Sequence, residues 1–163
     1  MSKFVHDSLI IRQSKPADES QLKELLYQTV HQVNSRDYDS AQLEAWAPAA
    51  MLSGQWPPRA GERQTWVAEL DGRIAGFAEL QPDGHIDCFY CHHQYQRRGV
   101  GHCLFKTLLD HARSAGIRRL SVDASITARP FFQAVGFSAG RARLVKIRGQ
   151  SLMNFRMSRL IDE

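Results

Sequence analysis

The sequence predicts an α+β domain of the α/β/α type, in which helices cover both faces of a mixed, mostly antiparallel sheet of six to seven strands. The first reason is the order of hydrophobic patterns, which runs strand, two helices, three strands, helix, strand, helix, two strands. The second is a pair of turn signals, Asp71-Gly72 and Pro82-Asp83-Gly84, which join three consecutive strands into a meander. The third is size, because 163 residues with 43% apolar content suit a single domain spanning 1–163.

The first half of the chain begins with a short strand and two helices. An apolar run at Leu9-Ile10-Ile11 predicts the strand, and Ser14-Lys15-Pro16-Ala17-Asp18-Glu19 contains the residues typical of a helix start. Apolar residues then recur at the spacing of one helical face: Leu22, Leu25, Leu26, Thr29, Val30 and Val33. A shorter helix is predicted at 41–46, after the capping residues at 38–40, and the segment 48–64 is predicted to be irregular.

The second half alternates strands with two further helices. One helix is predicted at 101–115 before Gly116, and the other at 127–135 before Gly136. The predicted apolar face of the first of these consists of Cys103, Leu104, Thr107, Leu108, His111 and Ala115. The remaining strands are predicted at 65–70, 74–80, 86–91, 120–122, 137–147 and 152–160.

Charge and composition restrict the classes of function. Lys and Arg total 21 against 17 Asp and Glu, so the net charge is +4, a mild excess that does not single out nucleic acid. The chain has no run of about eighteen apolar residues and no visible export signal, so we expect no membrane span and a cytoplasmic location. The three cysteines are then expected to be reduced thiols.

The segment Cys88-Phe89-Tyr90-Cys91-His92 fits the C-x-x-C-H spacing of covalent haem attachment and also suggests a metal cluster. The segment is predicted to be a strand, where residues three apart point to opposite faces, so the two sulfur atoms cannot easily converge on one ion. We therefore predict no metal and no haem, and interpret Cys88, Cys91 and Cys103 as small, mostly buried apolar residues.

The loop Gln96-Arg97-Arg98-Gly99-Val100-Gly101 comes directly after a predicted strand and directly before a predicted helix. Main-chain N–H groups of the loop and of the helix N-terminus can therefore point at one anion, and the two glycines allow that anion to approach closely. The loop lacks the Lys-Ser/Thr pair of a Walker A motif, and Leu104 stands where a dinucleotide fingerprint needs its third glycine. The pattern thus disfavours nucleoside triphosphates and NAD.

The pattern Gln96-x-x-Gly99-x-Gly101 resembles the Q/R-x-x-G-x-G/A loop of the GNAT superfamily of N-acetyltransferases. The predicted order of elements also resembles the GNAT fold, and the segments 122–132 (VDASITARPFF) and 135–137 (VGF) resemble its later strand, helix and Gly-Phe pair. The segments 38–47 (YDSAQLEAWA) and 148–157, which begins Arg-Gly and ends Asn-Phe-Arg-Met, are similar to a bacterial YafP-like subgroup. The resemblance covers most of the chain.

This resemblance implies that acetyl-CoA is the acetyl donor, with its pyrophosphate on the loop amides and its pantetheine along the strand at 86–91. Main-chain groups of Phe89 and Cys91 would pair with pantetheine as a sheet edge pairs with a peptide. Phe132 is expected to pack along the coenzyme and Phe131 to lie in the core. The implied coenzyme-binding residues are Phe89, Tyr90, Cys91, Gln96, Arg97, Arg98, Gly99, Val100, Gly101, His102, Ser125, Arg129 and Phe132.

The resemblance also implies direct attack of a primary amine of a small molecule on the thioester, in a ternary complex without an acyl-enzyme. Asp87 is the first candidate for the base, with His85 and Glu79, the latter expected at the surface, as alternatives. Many GNAT enzymes protonate the coenzyme A thiolate with a tyrosine at the position that Phe132 occupies here. The remaining candidates for that role are Ser125 and Tyr90.

Acceptor specificity is implied to come from the first two helices and the loop between them, about residues 31–56. The side chains there that could form a wall around a planar or cationic amine are His31, Tyr38, Trp46 and Trp56. Two other functions stay open, a non-catalytic acyl-CoA-binding or sensing module and an acetyltransferase that acts on a protein or peptide amine. A homodimer is also left open.

Overall fold

A computed structural model describes residues 8–54 and 63–161, and the strands in this part of the chain form one sheet. The strands are β1 (Leu9–Gln13), β2 (Gln64–Leu70), β3 (Arg73–Leu80), β4 (His85–Cys91), β5 (Arg119–Ser125), β6 (Arg141–Ile147) and β7 (Gln150–Leu160). Their order across the sheet is β1-β2-β3-β4-β5-β7-β6, and every neighbouring pair is antiparallel except β4 and β5. The predicted mixed, mostly antiparallel sheet is therefore confirmed.

Helices cover both faces of this sheet, as predicted. They are α1 (Glu19–Gln32), α2 (Ser40–Trp46), α3 (Val100–Ser114) and α4 (Arg129–Ala134). Because side chains alternate along a strand, Val67 and Phe77 pack with α1 and α2, whereas their neighbours Ala68 and Ala78 pack with α3 and α4. Among the helices of residues 8–54 and 63–161, none has the length and apolar character needed to cross a bilayer.

The buried face of α3 differs from the predicted one. Its buried residues are Val100, Leu104, Phe105, Leu108, Leu109 and Ala112. Ala115, predicted to be on the apolar face, is exposed, while Phe105 reaches the core and meets the ring of Phe137 at 5.9 Å between centroids. The apolar stripe is rotated because α3 must also contact the segment that follows α4, a long-range contact that local spacing does not reveal.

β4 is irregular in two ways that shape the middle of the sheet. Cys88 and Ile86 pair with adjacent residues of β3, so Asp87 is an extra residue and forms a β-bulge. The parallel partner β5 is paired with β4 only at His85 and Ile86. Beyond these two residues the strands separate, and the edge of β4 from 87 to 91 faces the gap between them.

The hairpin of β6 and β7 fixes the position of α2. The hairpin turns at Arg148 and Gly149, whose φ angles of 45° and 83° suit a two-residue turn that follows the twist of the strands. Three side-chain hydrogen bonds to main-chain carbonyls then link α2 and the segment before it to the hairpin. They run from Arg148 to Ala45 (2.7 Å), from Gln42 to Ser151 (3.0 Å) and from Tyr38 to Met153 (2.5 Å).

Candidate active site

A cavity of about 240 Å³ occupies the gap where β4 and β5 separate. Its walls come from these two strands, from the turn after α1, from the end of α2 and from the start of α4. At one end it reaches Gly101 in the first turn of α3. The cavity therefore connects the predicted anion-binding loop with the predicted acceptor region.

The loop before α3 has the geometry that an anion site needs. Arg97 and Gly99 both have positive φ, 61° and 82°, and Gly99 is the residue that precedes the helix. The amide of Cys103 donates to the carbonyl of Gly99 at 3.0 Å, so the amides that precede it in the first turn point out of the helix end. A Cβ atom added at Gly99 would meet nothing within 4 Å, which leaves this end open to a ligand. These amides and the helix dipole favour an anion such as pyrophosphate.

Three exposed side chains surround this helix end, and they are those of Arg97, Arg98 and His102. The Arg98 guanidinium also lies 5.8 Å from the ring centroid of Tyr95. Val100 is buried, with 2% exposure, so only its main chain is available to a ligand. The loop thus offers a ligand main-chain amides and two arginines, and the role of these residues in coenzyme binding stays a prediction.

Gln96, predicted to contact the coenzyme, lines the cavity and also makes hydrogen bonds within the protein. Its Nε2 donates to the carbonyl of Cys91 at 2.8 Å, and the Thr29 hydroxyl donates to the same carbonyl at 3.2 Å. The carbonyl of Cys91 therefore has two protein partners already, which does not suit the predicted pairing of this group with pantetheine. Gln96 joins the loop to the end of β4 and fixes the position of the helix N-terminus relative to the cavity.

Arg129, predicted to bind the coenzyme, has a structural role. Its guanidinium carbon lies 4.1 Å from the ring centroid of Phe155, and its Nε donates to the carbonyl of Ala139 at 3.1 Å. These contacts stabilise the segment between α4 and β6. These two contacts direct the guanidinium of Arg129 toward Phe155 and Ala139, and its predicted contact with the coenzyme stays a prediction.

Both phenylalanines of α4 line the cavity, and Phe132, predicted to pack along the coenzyme, is the more buried of the two. Phe132 is 2% exposed and packs in the core, with ring centroids 5.2 Å from Phe137 and 5.5 Å from Phe89. Phe131 is only partly buried and lies against Gly101, where an added Cβ would be 3.2 Å from its ring. Phe131 is therefore the ring that presents more surface to the cavity beside the helix end.

The cysteines of β4 point to opposite faces of the sheet. Cys88 packs with the cluster under α1 and α2, and Cys91 packs with the cluster under α3 and α4. Burial raises the pKa of the Cys91 thiol to about 12, so it stays neutral and is a poor nucleophile. Within residues 8–54 and 63–161, no three His, Cys, Asp or Glu side chains form a group suited to a metal ion.

Asp87, the predicted base, lies on the cavity wall at the bulge. Gln81 Nε2 donates to its two carboxylate oxygens at 2.7 and 2.8 Å, and Arg63 forms an ion pair with it. The side chain of Asp87 is 17% exposed. Two neighbours thus hold the carboxylate in one orientation at the edge of the cavity, and its role as base stays a prediction.

The two alternative bases lie in different surroundings. Glu79 is fully buried, at 0% exposure, whereas the sequence interpretation placed it at the surface. Glu79 is buried because its strand, β3, lies between β2 and β4 in the sheet and α1 packs over this face. His85 is 20% exposed, accepts or donates at 2.8 Å to the Ser121 hydroxyl, and lies 3.7 Å from Asp123. Neither residue lines the cavity among the residues that the structure describes.

Ser125 ends β5 with its hydroxyl at the cavity wall. Its oxygen accepts a hydrogen bond from Asn34 Nδ2 at 3.3 Å and another from the amide of Ala128 at 3.0 Å. A serine hydroxyl has two lone pairs and one O–H donor, so these bonds occupy both acceptor positions. The proton is left to be donated in the remaining direction. Asn34, only 5% exposed, thereby positions a hydrogen-bond donor at the cavity.

Tyr90 also lines the cavity, beside Trp46. Burial raises the pKa of the Tyr90 phenol above its usual range, the nearby Cys88 adds to this, and a hydrogen bond from the Trp46 indole partly offsets it. Since an indole N–H is only a donor, Tyr90 accepts from Trp46 and keeps its own O–H free to donate. Trp46 is the one predicted acceptor-wall residue that the described chain places on the cavity.

Two further predicted acceptor-wall residues, Tyr38 and His31, are not among the described residues that line the cavity. Tyr38 is 6% exposed, and its hydroxyl donates to Met153 and accepts from the amide of Ile126 at 2.9 Å, so it is part of the core. His31 Nε2 lies 2.8 Å from the carbonyl of Ala47, which ties α1 to the end of α2. Trp56 lies outside the described residues.

Replacing Tyr38 with Phe is expected to destabilise the fold by about 2–3 kcal/mol, because the buried amide of Ile126 and the carbonyl of Met153 both lose a partner. Urea unfolding of the two proteins measures the difference. Tyr27→Phe on α1, where the tyrosine is partly exposed, is the control and should change stability by about 0.5 kcal/mol or less. Unchanged stability with a raised KM for the acceptor would instead return Tyr38 to the acceptor wall.

Sequence reasoning missed several residues on the cavity wall, namely Asn34, Arg36, Asp123 and Phe131. Asn34 and Arg36 fall inside the loop that was assigned to acceptor binding, so only the individual side chains were missed. Asp123 had a detectable signal, because residues two apart in a strand share a face and Ser125 was already a candidate. Asp123 receives hydrogen bonds from Arg156, the shorter at 2.6 Å, and Arg143 lies 3.2 Å away.

The fold and the site together define an acetyltransferase: a helix N-terminus with free amides faces the gap between two separating parallel strands in a seven-stranded sheet. A model of the acetyltransferase (GNAT) domain family matches residues 34–158 of the sequence. The chain therefore belongs to the GNAT family of N-acetyltransferases.

Three known proteins illustrate this relationship. The uncharacterized N-acetyltransferase YafP of Escherichia coli K12 is 32% identical over 93% of this chain and 95% of its own. A GCN5-related N-acetyltransferase from Rhodopseudomonas palustris is 34% identical, covers 93% of this chain and 94% of its own, and has a TM-score of 0.80. The PaiA N-acetyltransferase of Thermoplasma acidophilum, solved in complex with coenzyme A, shares the fold at a TM-score of 0.71 and 17% identity, over 94% and 99% of the two chains.

Proposed function

We propose that this protein transfers the acetyl group of acetyl-CoA to a primary amine of a small molecule, by direct attack in a ternary complex. The observation that carries the proposal is the cavity between β4 and β5, which leads from the amide-lined start of α3 to a wall of polar side chains. The complex of the Thermoplasma protein with coenzyme A supports the choice of donor. The cavity volume of about 240 Å³ supports a small acceptor.

The residues around the cavity suit the parts of this donor. The amides from Gly99 to His102 suit the pyrophosphate, and Arg97 and Arg98 add positive charge that strengthens binding. Apart from the carbonyl of Cys91, the edge of β4 from 87 to 91 has main-chain groups that face the gap and suit the amide groups of pantetheine. When bound, acetyl-CoA supplies the activated acetyl thioester, and the protein supplies orientation and proton transfer.

Asp87 is proposed to accept the proton that the acceptor ammonium must lose before its nitrogen can attack. The position of its carboxylate on the cavity wall allows transfer directly or through one water. Gln81 and Arg63 hold the carboxylate in place, so the distance to the acceptor does not depend on a flexible side chain. The bulge at Asp87 also sets the direction of this side chain, because it takes the residue out of the regular alternation of β4.

Ser125 is proposed to donate its hydroxyl proton in a hydrogen bond to the sulfur of the leaving thiolate. Phe132 has no hydroxyl and is buried, so it cannot take the part that a tyrosine has in many GNAT enzymes. The bonds from Asn34 and Ala128 leave the O–H of Ser125 as the group that can point into the cavity. A thiol with a pKa of about 8.5 leaves readily once its charge is stabilised in this way.

Ser125→Ala is expected to lower kcat by roughly tenfold or more while the KM for acetyl-CoA changes little, because the lost bond forms only as charge develops on sulfur. Steady-state thiol release measures both constants. Ser125→Thr keeps a hydroxyl at the same position and should retain most of the activity. If the alanine variant matches the wild type, the donor is elsewhere, and Tyr90, with its O–H free beside Trp46, is the next to replace.

The proposed function is tested by calorimetric titration of the purified protein with acetyl-CoA, followed by a thiol-release screen of the same preparation with small amines and peptides. We expect binding together with amine-dependent thiol release. Release only with peptides would identify a protein or peptide amine as the acceptor. Binding without release from any acceptor would favour a coenzyme sensor, and absence of binding would overturn the assignment of the loop.

A further inference from the structure

Three arginines lie beside the cavity on the face of the sheet that α1 and α2 cover elsewhere. Arg156 on β7 is paired in register with Asp123 on one side and with Arg141 on the other, so these three residues form a row across the strands. Arg143 lies two residues farther along β6, on the same face, and is in register with Asn154. We call Arg141, Arg143 and Arg156 the arginine patch.

The positive charge of this patch is only partly balanced within the sheet. Asp123 is the single acidic residue of β5, β6 and β7. Its carboxylate contacts the guanidinium groups of both Arg156, at 2.6 Å, and Arg143, at 3.2 Å. Arg141 stands directly opposite Arg156 in the antiparallel pair, an arrangement of like charges that is unfavourable unless an anion lies between or above them. The patch and Asp123 together carry a net charge of +2, from three arginines and one carboxylate.

The arginines also keep hydrogen-bond donors for a ligand. A guanidinium has five N–H donors, and Arg156 uses Nε and Nη2 on Asp123, while Arg143 uses Nε on Asn154 and Nη2 on Asp123. Their side chains are 50% and 34% exposed. Each can therefore offer the two-point contact that suits a carboxylate or a phosphate.

We propose that the acceptor of this enzyme is an amine that carries an anionic group, a carboxylate or a phosphate, bound by the arginine patch. This inference rests on the proposed function, since it names the class of acceptor for the same cavity. Asp123 lies on the cavity wall and contacts Arg143 and Arg156 of the patch, so the two regions are continuous. Arg36, on the cavity wall at the turn after α1, adds a positive charge from the opposite side.

The positions of Asp87 and Arg156 limit the size of this acceptor. Arg156 is one strand away from β5 in the sheet, and its Nε lies 2.6 Å from Asp123 on the cavity wall, so its guanidinium leans toward the cavity. An acceptor with its amine near Asp87 and its anion on Arg156 therefore spans the gap between β4 and β5, which suits a compact molecule with few bonds between the two groups. Free amino acids and phosphorylated amino alcohols have this form.

The test compares pairs of acceptors that differ only in the anionic group: the free L-amino acids with their carboxamides, and O-phosphoethanolamine with ethanolamine. Thiol release is measured for wild type, Arg156→Gln, Arg143→Gln and the control Arg113→Gln, an exposed arginine on α3. We expect at least one anionic member to exceed its uncharged partner at least tenfold in kcat/KM. For that acceptor, the two patch variants should lose at least tenfold in kcat/KM, mainly through a higher KM, and the control should keep the wild-type value.

Two further readouts keep this inference separate from the proposed function. Raising the ionic strength should increase the KM for the anionic acceptor much more than for its uncharged partner. Melting temperatures close to the wild-type value show that the variants are folded. Equal turnover of the two members of every pair overturns the anionic acceptor. Binding of acetyl-CoA without turnover of any of these acceptors overturns it as well, and both outcomes leave the coenzyme site standing. Failure to bind acetyl-CoA overturns the proposed function itself.

Discussion

Gly99→Asp is expected to weaken acetyl-CoA binding at least about a hundredfold, equivalent to about 2.7 kcal/mol. Gly99 precedes α3 with φ of 82°, and an added Cβ has nothing within 4 Å, so the larger residue fits without displacing a neighbour. Its carboxylate, however, would stand in front of the helix amides that we assign to the pyrophosphate. Like charge repels the anion there, and the new side chain competes for the same N–H groups.

The control for this variant is Gly72→Asp in the turn between β2 and β3. Gly72 has nearly the same φ, 80°, and the same open surroundings, so the backbone strain of the two substitutions is alike. Calorimetric titration should show a large loss for Gly99→Asp only, while both variants should melt within a few degrees of each other. If Gly99→Asp binds acetyl-CoA as the wild type does, the pyrophosphate site is not at the start of α3.

Asp87→Asn is expected to lower kcat by about 10²- to 10⁴-fold, the usual contribution of a positioned base, with acetyl-CoA affinity changed less than about twofold. The substitution keeps the shape of the side chain, and the remaining amide oxygen still accepts from Gln81. What it removes is the ability to take a proton from the acceptor, together with the negative charge that pairs with Arg63. Steady-state kinetics and calorimetry on the same preparation separate the two effects.

The pH dependence of kcat/KM gives a second test of Asp87. A reaction with a general base has one limb of the profile that reports this base, and that limb should be present in the wild type and absent from Asp87→Asn. Asp110→Asn, on the exposed side of α3, is the control and should keep the wild-type profile. A variant at Asp87 with wild-type activity across the pH range would transfer the role of base to His85 or Glu79.

Much of the fold could be predicted because its signals are local. The order of seven strands and four helices follows from hydrophobic periodicity and from turns such as Asp71-Gly72, and each predicted element lies within a few residues of the observed one. The anion-binding loop is also a local signal, since two glycines between a strand and a helix fix the direction of its amides. Its geometry therefore agrees with the prediction at Gly99 and Val100.

The individual side-chain roles were harder to predict because they depend on partners far away in the sequence. Tyr38 is an aromatic residue in the region assigned to the acceptor, but its hydroxyl donates to the carbonyl of Met153, 115 positions later, inside the core. The hydroxyl of Ser125 is oriented by a hydrogen bond from Asn34, 91 positions earlier. The deeper burial of Phe132 than of Phe131 follows from the orientation of a helix of only six residues, where a rotation of one position changes which ring is buried.

The way in which α2 is held has a consequence for how this enzyme can change over evolutionary time. Gln42 and Tyr38 bind main-chain carbonyls of β7, and such carbonyls are present whatever side chains the strand has. The side chains of β6 and β7 that face the acceptor can therefore mutate without loosening the helix that carries Trp46. Drift in acceptor preference is thereby separated from loss of stability, which makes the strands of this hairpin, but not Arg148 at its turn, the natural place to diversify in a directed-evolution library.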